Sequence, residues 1–275
     1  MASSAAPVLV LENEPERLRD WAGAMWHFRH LLAMLSRAQF HVRYKRASFG
    51  VAWAVGLPLI QAAVLTIVFE KLVRVSGGLH FGAYVLSGVL AWSYFSQTVA
   101  PGSTAIVEGS SLTDKVWFPR AILPATTVFA NLPGLAVSMA FLVVALPVLG
   151  VPLGIRVLLL PLACALLIAF TLALVEVLAA LHVYFRDVRF LVQAALVVWF
   201  YVTPIAYPKA LLKGLATWID VNPLTGIVAL FHLATVGNEA NWQRPLLFAL
   251  AWTAVLVIAA VEAHRRRDRL FVDLL

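Results

Sequence analysis

Apolar, uncharged runs long enough to cross a bilayer alternate along this chain with short charged connections. A helix rises about 1.5 Å per residue and a hydrocarbon core is about 30 Å thick, so runs of roughly 17 to 25 uncharged residues are expected to span. Six runs fit that expectation: 51–69, 81–99, 121–149, 157–181, 190–206 and 246–261. Gly150, Pro152 and Gly154 mark the turn that folds the third and fourth into a helical hairpin. Residues 208–237 are apolar but broken by Pro208, Gly214, Pro223, Gly226 and Gly237. The stretch 224–236 makes a helix of about 20 Å, too short to cross, which leaves a re-entrant hairpin or an outer loop with interfacial helices. Ahead of the first span, Trp21, Met25, Phe28, Leu32 and Leu35 recur at helical spacing, with Arg19, Asp20, Arg29, His30 and Arg37 on other faces. That pattern predicts an amphipathic helix over 14–46 lying on the inner membrane surface. The expected fold is all-α: one integral membrane domain over 1–275, with six transmembrane helices, an N-terminal interfacial helix and a re-entrant hairpin between spans five and six.

Composition agrees. Of 275 residues, 62% are hydrophobic and 13% charged, against about half and about a quarter in soluble domains. Little chain is left for a soluble catalytic domain. The 21 Lys and Arg outweigh the 14 Asp and Glu to give +7, but their placement speaks of topology and not of a nucleic-acid partner. With six spans and the N-terminus inside, fifteen basic residues fall in inner segments and six in outer ones. By the positive-inside rule both termini are cytoplasmic. The N-terminal stretch lacks a basic region followed by an apolar one, so no cleaved signal peptide is expected.

The sequence contains no G-x-x-x-x-G-K-[ST] string, no G-x-S-x-G elbow and no H-E-x-x-H pair. The chain is therefore not expected to bind ATP by that route or to catalyse a reaction itself. Its seven histidines are scattered and its one cysteine, Cys164, lies in an apolar run, so neither a metal site nor a disulfide is expected. Glu176 is the one acid well inside a predicted span. An acid there is a candidate proton or ion site, but no cationic partner is evident, and a hydrogen-bonded interhelical contact competes with that role. Arg43, Tyr44, Lys45 and Arg46 put three cations beside an aromatic at headgroup level. Lipid anchoring explains such a cluster, and so does contact with a pyrophosphate headgroup of a lipid-linked substrate. Aromatics concentrate at Trp92, Tyr94 and Phe95 and again at Trp199, Phe200 and Tyr201. They read either as interfacial belts or as a surface on which sugar rings stack.

Four strings, in order, resemble a known family. They are Arg43-Tyr44-Lys45-Arg46-Ala47-Ser48-Phe49-Gly50-Val51-Ala52-Trp53; Leu112-Thr113-Asp114-Lys115-Val116-Trp117-Phe118-Pro119-Arg120; Tyr184-Phe185-Arg186-Asp187-Val188-Arg189; and Thr203-Pro204-Ile205-Ala206-Tyr207-Pro208, followed by Asn222-Pro223-Leu224-Thr225-Gly226. With the spans between them, they resemble a type-2 ATP-binding-cassette (ABC) transporter permease of the polysaccharide-export group, which includes O-antigen, capsule and teichoic-acid exporters. The resemblance implies a homodimer enclosing a wide channel in a bacterial cytoplasmic membrane. It implies two copies of a separate ATPase that carry the ATP and Mg, and a polyprenyl-linked glycan as substrate. The helix before the first span would be a gate, with Arg43, Tyr44, Lys45 and Arg46 at the headgroup entrance. Asp114, Lys115, Phe118 and Arg120, together with Arg186, Asp187 and Arg189, would couple to the ATPase. Residues 208–237 would form a periplasmic gate, and Trp92, Tyr94, Phe95, Trp199, Phe200 and Tyr201 the channel lining. Two rival readings stand beside this one: an ABC permease for a lipid or small hydrophobic compound, and an ATP-independent carrier or membrane-embedded transferase, which would need more intramembrane acid, base or metal groups than Glu176.

Overall fold

The structure is a computed structural model, and it describes residues 18–45, 49–72, 80–113, 116–237 and 241–267. All regular structure among them is helical: α1 (Leu18–His27), α2 (Arg29–Tyr44), α3 (Trp53–Ile67), α4 (Phe81–Gly102), α5 (Ala105–Glu108), α6 (Ser110–Thr113), α7 (Ile122–Val148), α8 (Leu160–Tyr184), α9 (Val188–Val202), α10 (Ala216–Ile219), α11 (Pro223–Thr235) and α12 (Gln243–Arg267). Four stretches are long and apolar enough to cross a membrane: Gly50–Lys71, Ile122–Val148, Ile155–Tyr184 and Gln243–Arg265.

Those four carry α3, α7, α8 and α12, and they show large apolar side chains outward, among them Leu57, Ile60, Val64, Val144, Leu162, Leu247 and Ile258. In water such a surface would aggregate; in hydrocarbon it costs nothing. α4 differs. Its 22 residues are long enough to cross, yet seventeen of them are buried among the neighbouring helices. A helix wrapped in protein needs no uniformly apolar surface, so α4 carries Ser87, Ser93, Gln97 and Thr98. Two of its hydroxyls are satisfied within the helix, Ser87 Oγ donating to the Tyr84 carbonyl at 2.9 Å and Thr98 Oγ1 to that of Tyr94 at 2.7 Å.

Helix boundaries follow local chemistry. α9 stops at Val202, short of the expected 206, because Pro204 disfavours helical backbone at Thr203, which is extended at ψ 131°. α7 ends in a Schellman turn: Gly150 adopts φ +80°, its N–H bonds the Pro147 carbonyl, and the Val151 N–H reaches back to Leu146 at 2.9 Å. α12 runs from Gln243 to Arg267, well beyond 246–261, because its charged last turn continues the helix past the apolar stretch.

The expected single helix over 14–46 is broken among the described residues. α1 and α2 meet at Phe28, where the backbone leaves helical geometry at φ −86° and ψ 11°. The apolar stripe also has a different occupant from the lipid expected. Met25, Phe28, Leu32 and Leu35 pack on Phe118, Ile122 and Leu123. Helical spacing of apolar residues says that one face must be buried but not against what.

Candidate functional site

Five of the six singled-out aromatics come together at the junction of α4, α8 and α9. Trp92 meets Phe200 at 5.4 Å, Phe95 meets Trp199 at 5.4 Å and Phe170 at 6.0 Å, and Phe200 meets Tyr201 at 5.2 Å, mostly edge to face. The cluster is a packed core on one side and open on the other. Phe95 has no exposed surface, so in this conformation it supports the cluster and does not line an opening. Trp92, Phe200 and Tyr201, with Gln61, Ser96, Leu196 and Val197, border a groove of about 320 Å³. Tyr201, 69% exposed, stands at its rim. Tyr94 projects from another face of α4, where its hydroxyl donates to the Val128 carbonyl at 3.4 Å. A groove with aromatic faces and two polar side chains offers ring stacking and few deep polar contacts.

Beyond the groove, α9 is tied to α11 through Asn222, a residue of the resembling strings for which the sequence suggested no role. Asn222 caps α11, accepting from the Leu224 N–H at 3.1 Å. Its carbonyl oxygen also accepts from the Trp199 indole at 2.8 Å, and its amide donates to Thr203 Oγ1 at 3.0 Å. The Asn-Pro pair that opens a helix was the readable signal. Gly226 lies so close to α12 that a Cβ would run into the Pro245 carbonyl. Asp220, buried ahead of α11, pairs with Lys209, and the Arg244 guanidinium lies 3.8 Å away. Tyr207 donates its hydroxyl to the Tyr201 carbonyl at 2.7 Å, and burial raises its pKa above the ordinary phenol value.

At the far end of the helices, the residues expected to couple to a partner divide by exposure. Arg186 and Asp187 on the tight turn between α8 and α9, and Arg189 in the first turn of α9, are exposed. Phe118 and Arg120 are buried, at 3% and 8% exposure, and Phe118 centres the cluster that receives α1 and α2. Trp117 is 70% exposed and meets Phe28 edge to face at 6.0 Å. Asp114 and Lys115 lie outside the described residues, as does Arg46. Arg43 and Tyr44 end α2, and Lys45 follows in extended backbone. Arg43 donates to the side-chain carbonyl of Asn131 on α7.

Glu176 has a partner that was not evident in the sequence, and of the two roles left open there the structure shows the interhelical contact. His264 Nε2 lies 2.9 Å from the carboxylate and 3.2 Å from the Glu176 carbonyl, joining α8 to α12 with both side chains buried. In sequence His264 sits in a basic run that reads as a topology marker; only the helix packing brings it to Glu176. Among the described residues no group of three His, Cys, Asp or Glu is placed to hold a metal ion.

The family model of the ABC-2 type transporter matches residues 30–236. Relatives include the O-antigen export system permease protein RfbA of Myxococcus xanthus, 28% identical over 256 residues that cover 90% of this chain and 96% of the relative. Two proteins of the same name from Klebsiella pneumoniae are 25% and 24% identical, each covering 78% of this chain and 83% of the relative.

Proposed function

The chain belongs to the ABC-2 type transporter family, and on that premise we propose that it is the permease of an exporter carrying a lipid-linked polysaccharide of the O-antigen kind outward across a bacterial cytoplasmic membrane. As a family member it is a multi-pass membrane subunit, not an enzyme itself, and it works with a separate ABC ATPase subunit that binds the ATP and Mg. The observation that carries the glycan reading is the open aromatic groove of Trp92, Phe200 and Tyr201 on a chain aligned along nine-tenths of its length with a permease named for O-antigen export. A sliding polymer needs many weak contacts that each sugar can make and leave, and ring stacking supplies them.

In this reading two copies face each other across their grooves and two ATPases sit beneath. All six apolar stretches cross, α4 sheathed by its neighbours and α9 bordering the groove, and both termini face the cytoplasm. Residues 208–237 dip into the membrane and return as the outer gate. Supporting that path, Asn222 lies beside Trp199, back along α9 from its end, while α11 runs to Thr235 and is followed by Gly237, whose carbonyl accepts from Arg156 near the start of α8. Arg43, Tyr44, Lys45 and Arg46 receive the pyrophosphate headgroup of a polyprenyl-linked chain. Closing of the ATPases pushes on the turn of Arg186, Asp187 and Arg189 and on the segment of Asp114, Lys115, Phe118 and Arg120. Because α1 and α2 pack on Phe118, that push also moves the entrance.

The test is purification from native membranes followed by reconstitution with the co-purifying P-loop ATPase. Polyprenyl-diphosphate-linked glycan is expected to stimulate ATP hydrolysis, and Trp92→Ala and Tyr201→Ala to lower glycan export while the complex still assembles. A permease that comes alone from several mild detergents, or a complex stimulated only by small hydrophobic compounds, overturns the reading.

A further inference from the structure

Polar side chains line up along the seam between α4 and α7, where both helices lie among membrane-spanning neighbours. Ser93, Gln97, Asn131 and Ser138 border a narrow cleft that Tyr44 and Ala54 close. The cleft as it stands holds about one water, too little for a sugar ring. What shuts it is the last turn of α2. Tyr44 rests over Gly134, where an added Cβ would stand 3.5 Å from its hydroxyl. Arg43, on the exposed side of the same turn, donates to Asn131 Oδ1. Asn131 is held from behind, its amide donating to Thr98 Oγ1 at 3.1 Å and to the Thr127 carbonyl at 3.0 Å. Its carbonyl is thereby aimed at the guanidinium.

This is an unequal match. A guanidinium presents five donors in a planar fork suited to phosphate, and a neutral amide oxygen occupies only part of it. Hydrogen bonds to an oxyanion are roughly twice as strong as those to a neutral acceptor. Asn131 therefore fixes Arg43 at the last turn of α2, and an arriving phosphate can take the guanidinium away. Behind the seat, Gln97 donates to Ser93 Oγ at 2.6 Å and Ser138 to the Ala54 carbonyl at only 3.4 Å. Side-chain amides and hydroxyls of this kind both donate and accept, as sugar hydroxyls do.

We propose that Arg43 and Asn131 form a latch released by substrate: phosphate oxygens of the lipid-linked glycan take the guanidinium from Asn131, and α2 then uncovers the seam of Ser93, Gln97, Asn131 and Ser138, which receives the hydroxyls of the first sugar. The proposal rests on the glycan-export reading and adds to it an order of events and a second binding surface. Asn131 acts as a positioning residue for Arg43 until the latch opens.

The latch predicts opposite effects at one position, which a purely structural residue does not produce. In the reconstituted complex, Asn131→Asp sets a carboxylate against Arg43, and the concentration of polyprenyl diphosphate that half-maximally stimulates ATP hydrolysis is expected to rise about tenfold, the scale of one charge-assisted hydrogen bond. Asn131→Leu frees the guanidinium and is expected to lower it severalfold. Gln97→Leu is expected to raise the half-maximal concentration for the glycan-bearing lipid and leave that for the bare diphosphate unchanged. Arg43→Lys, on an exposed side chain whose change costs no core packing, keeps the charge without the fork and weakens the response to both lipids. Shifts in the same direction for Asn131→Asp and Asn131→Leu, or no shift for Arg43→Lys, overturn the latch while the wild-type response upholds the export reading. A wild-type complex that answers to neither lipid overturns both.

Discussion

The two ends of the helix bundle are held by different forces. Where α1 and α2 meet the 118–123 segment, the joint is apolar: Phe118, Ile122 and Leu123 against Met25, Phe28, Leu32 and Leu35. Where α9 meets α11 and α12, the joint is polar and directional: Asn222 serves three partners, Asp220 pairs with Lys209 beside Arg244, and the Trp252 indole donates to the Val221 carbonyl at 3.1 Å. Apolar contact tolerates sliding, because its free energy follows buried area and not angle. Hydrogen bonds among buried groups do not, since each bond lost leaves a desolvated partner. The first joint can slide, and the second holds its helices in one arrangement.

Substitutions can break that contrast. The largest effect is expected for Gly226→Ala, whose new methyl collides with the Pro245 carbonyl. Backbone must move to admit it, at a cost of about 3 kcal/mol or more, and the unfolding midpoint followed by tryptophan fluorescence is expected to drop for the whole protein. Phe118→Ala comes next, removing about 3 kcal/mol of packing. Its effect is expected to stay local: residues 18–45 become sensitive to limited proteolysis while the global midpoint changes little. A global collapse after Phe118→Ala would show that the two ends are one cooperative unit. The smallest of the three is Asn222→Ala, which strands the Trp199 indole and uncaps α11 for about 2 kcal/mol. Here the loss is expected in the global midpoint, and Asn222→Asp, which still accepts from both N–H groups, is expected to recover part of it.

Sequence was informative wherever one chain segment carried the whole signal. Uncharged length alone located α3, α7, α8 and α12 to within a few residues, apart from the C-terminal end of α12, where Arg265, Arg266 and Arg267 prolong the helix beyond its apolar stretch. Gly150 and Pro204 announced a turn and a helix end through backbone sterics. The aromatics Trp92, Trp199, Phe200 and Tyr201 were visible as dense clusters, although nothing in their spacing said that Phe95 would be sealed inside while Tyr201 stood at the rim.

What composition, span length and local motifs determined is the class of molecule: a helical membrane protein with an amphipathic N-terminal segment, basic connections and no P-loop string. Tertiary structure decided which partner each of those features has. The stripe of α1 and α2 found Phe118, Glu176 found His264 at 88 residues' remove, and Arg43 found Asn131 across the same sequence distance. The physical reason is one of range. Helix formation and membrane insertion are governed by neighbours along the chain, whereas hydrogen bonds and ion pairs act over about 3 Å, a distance that only the packing of distant helices can set.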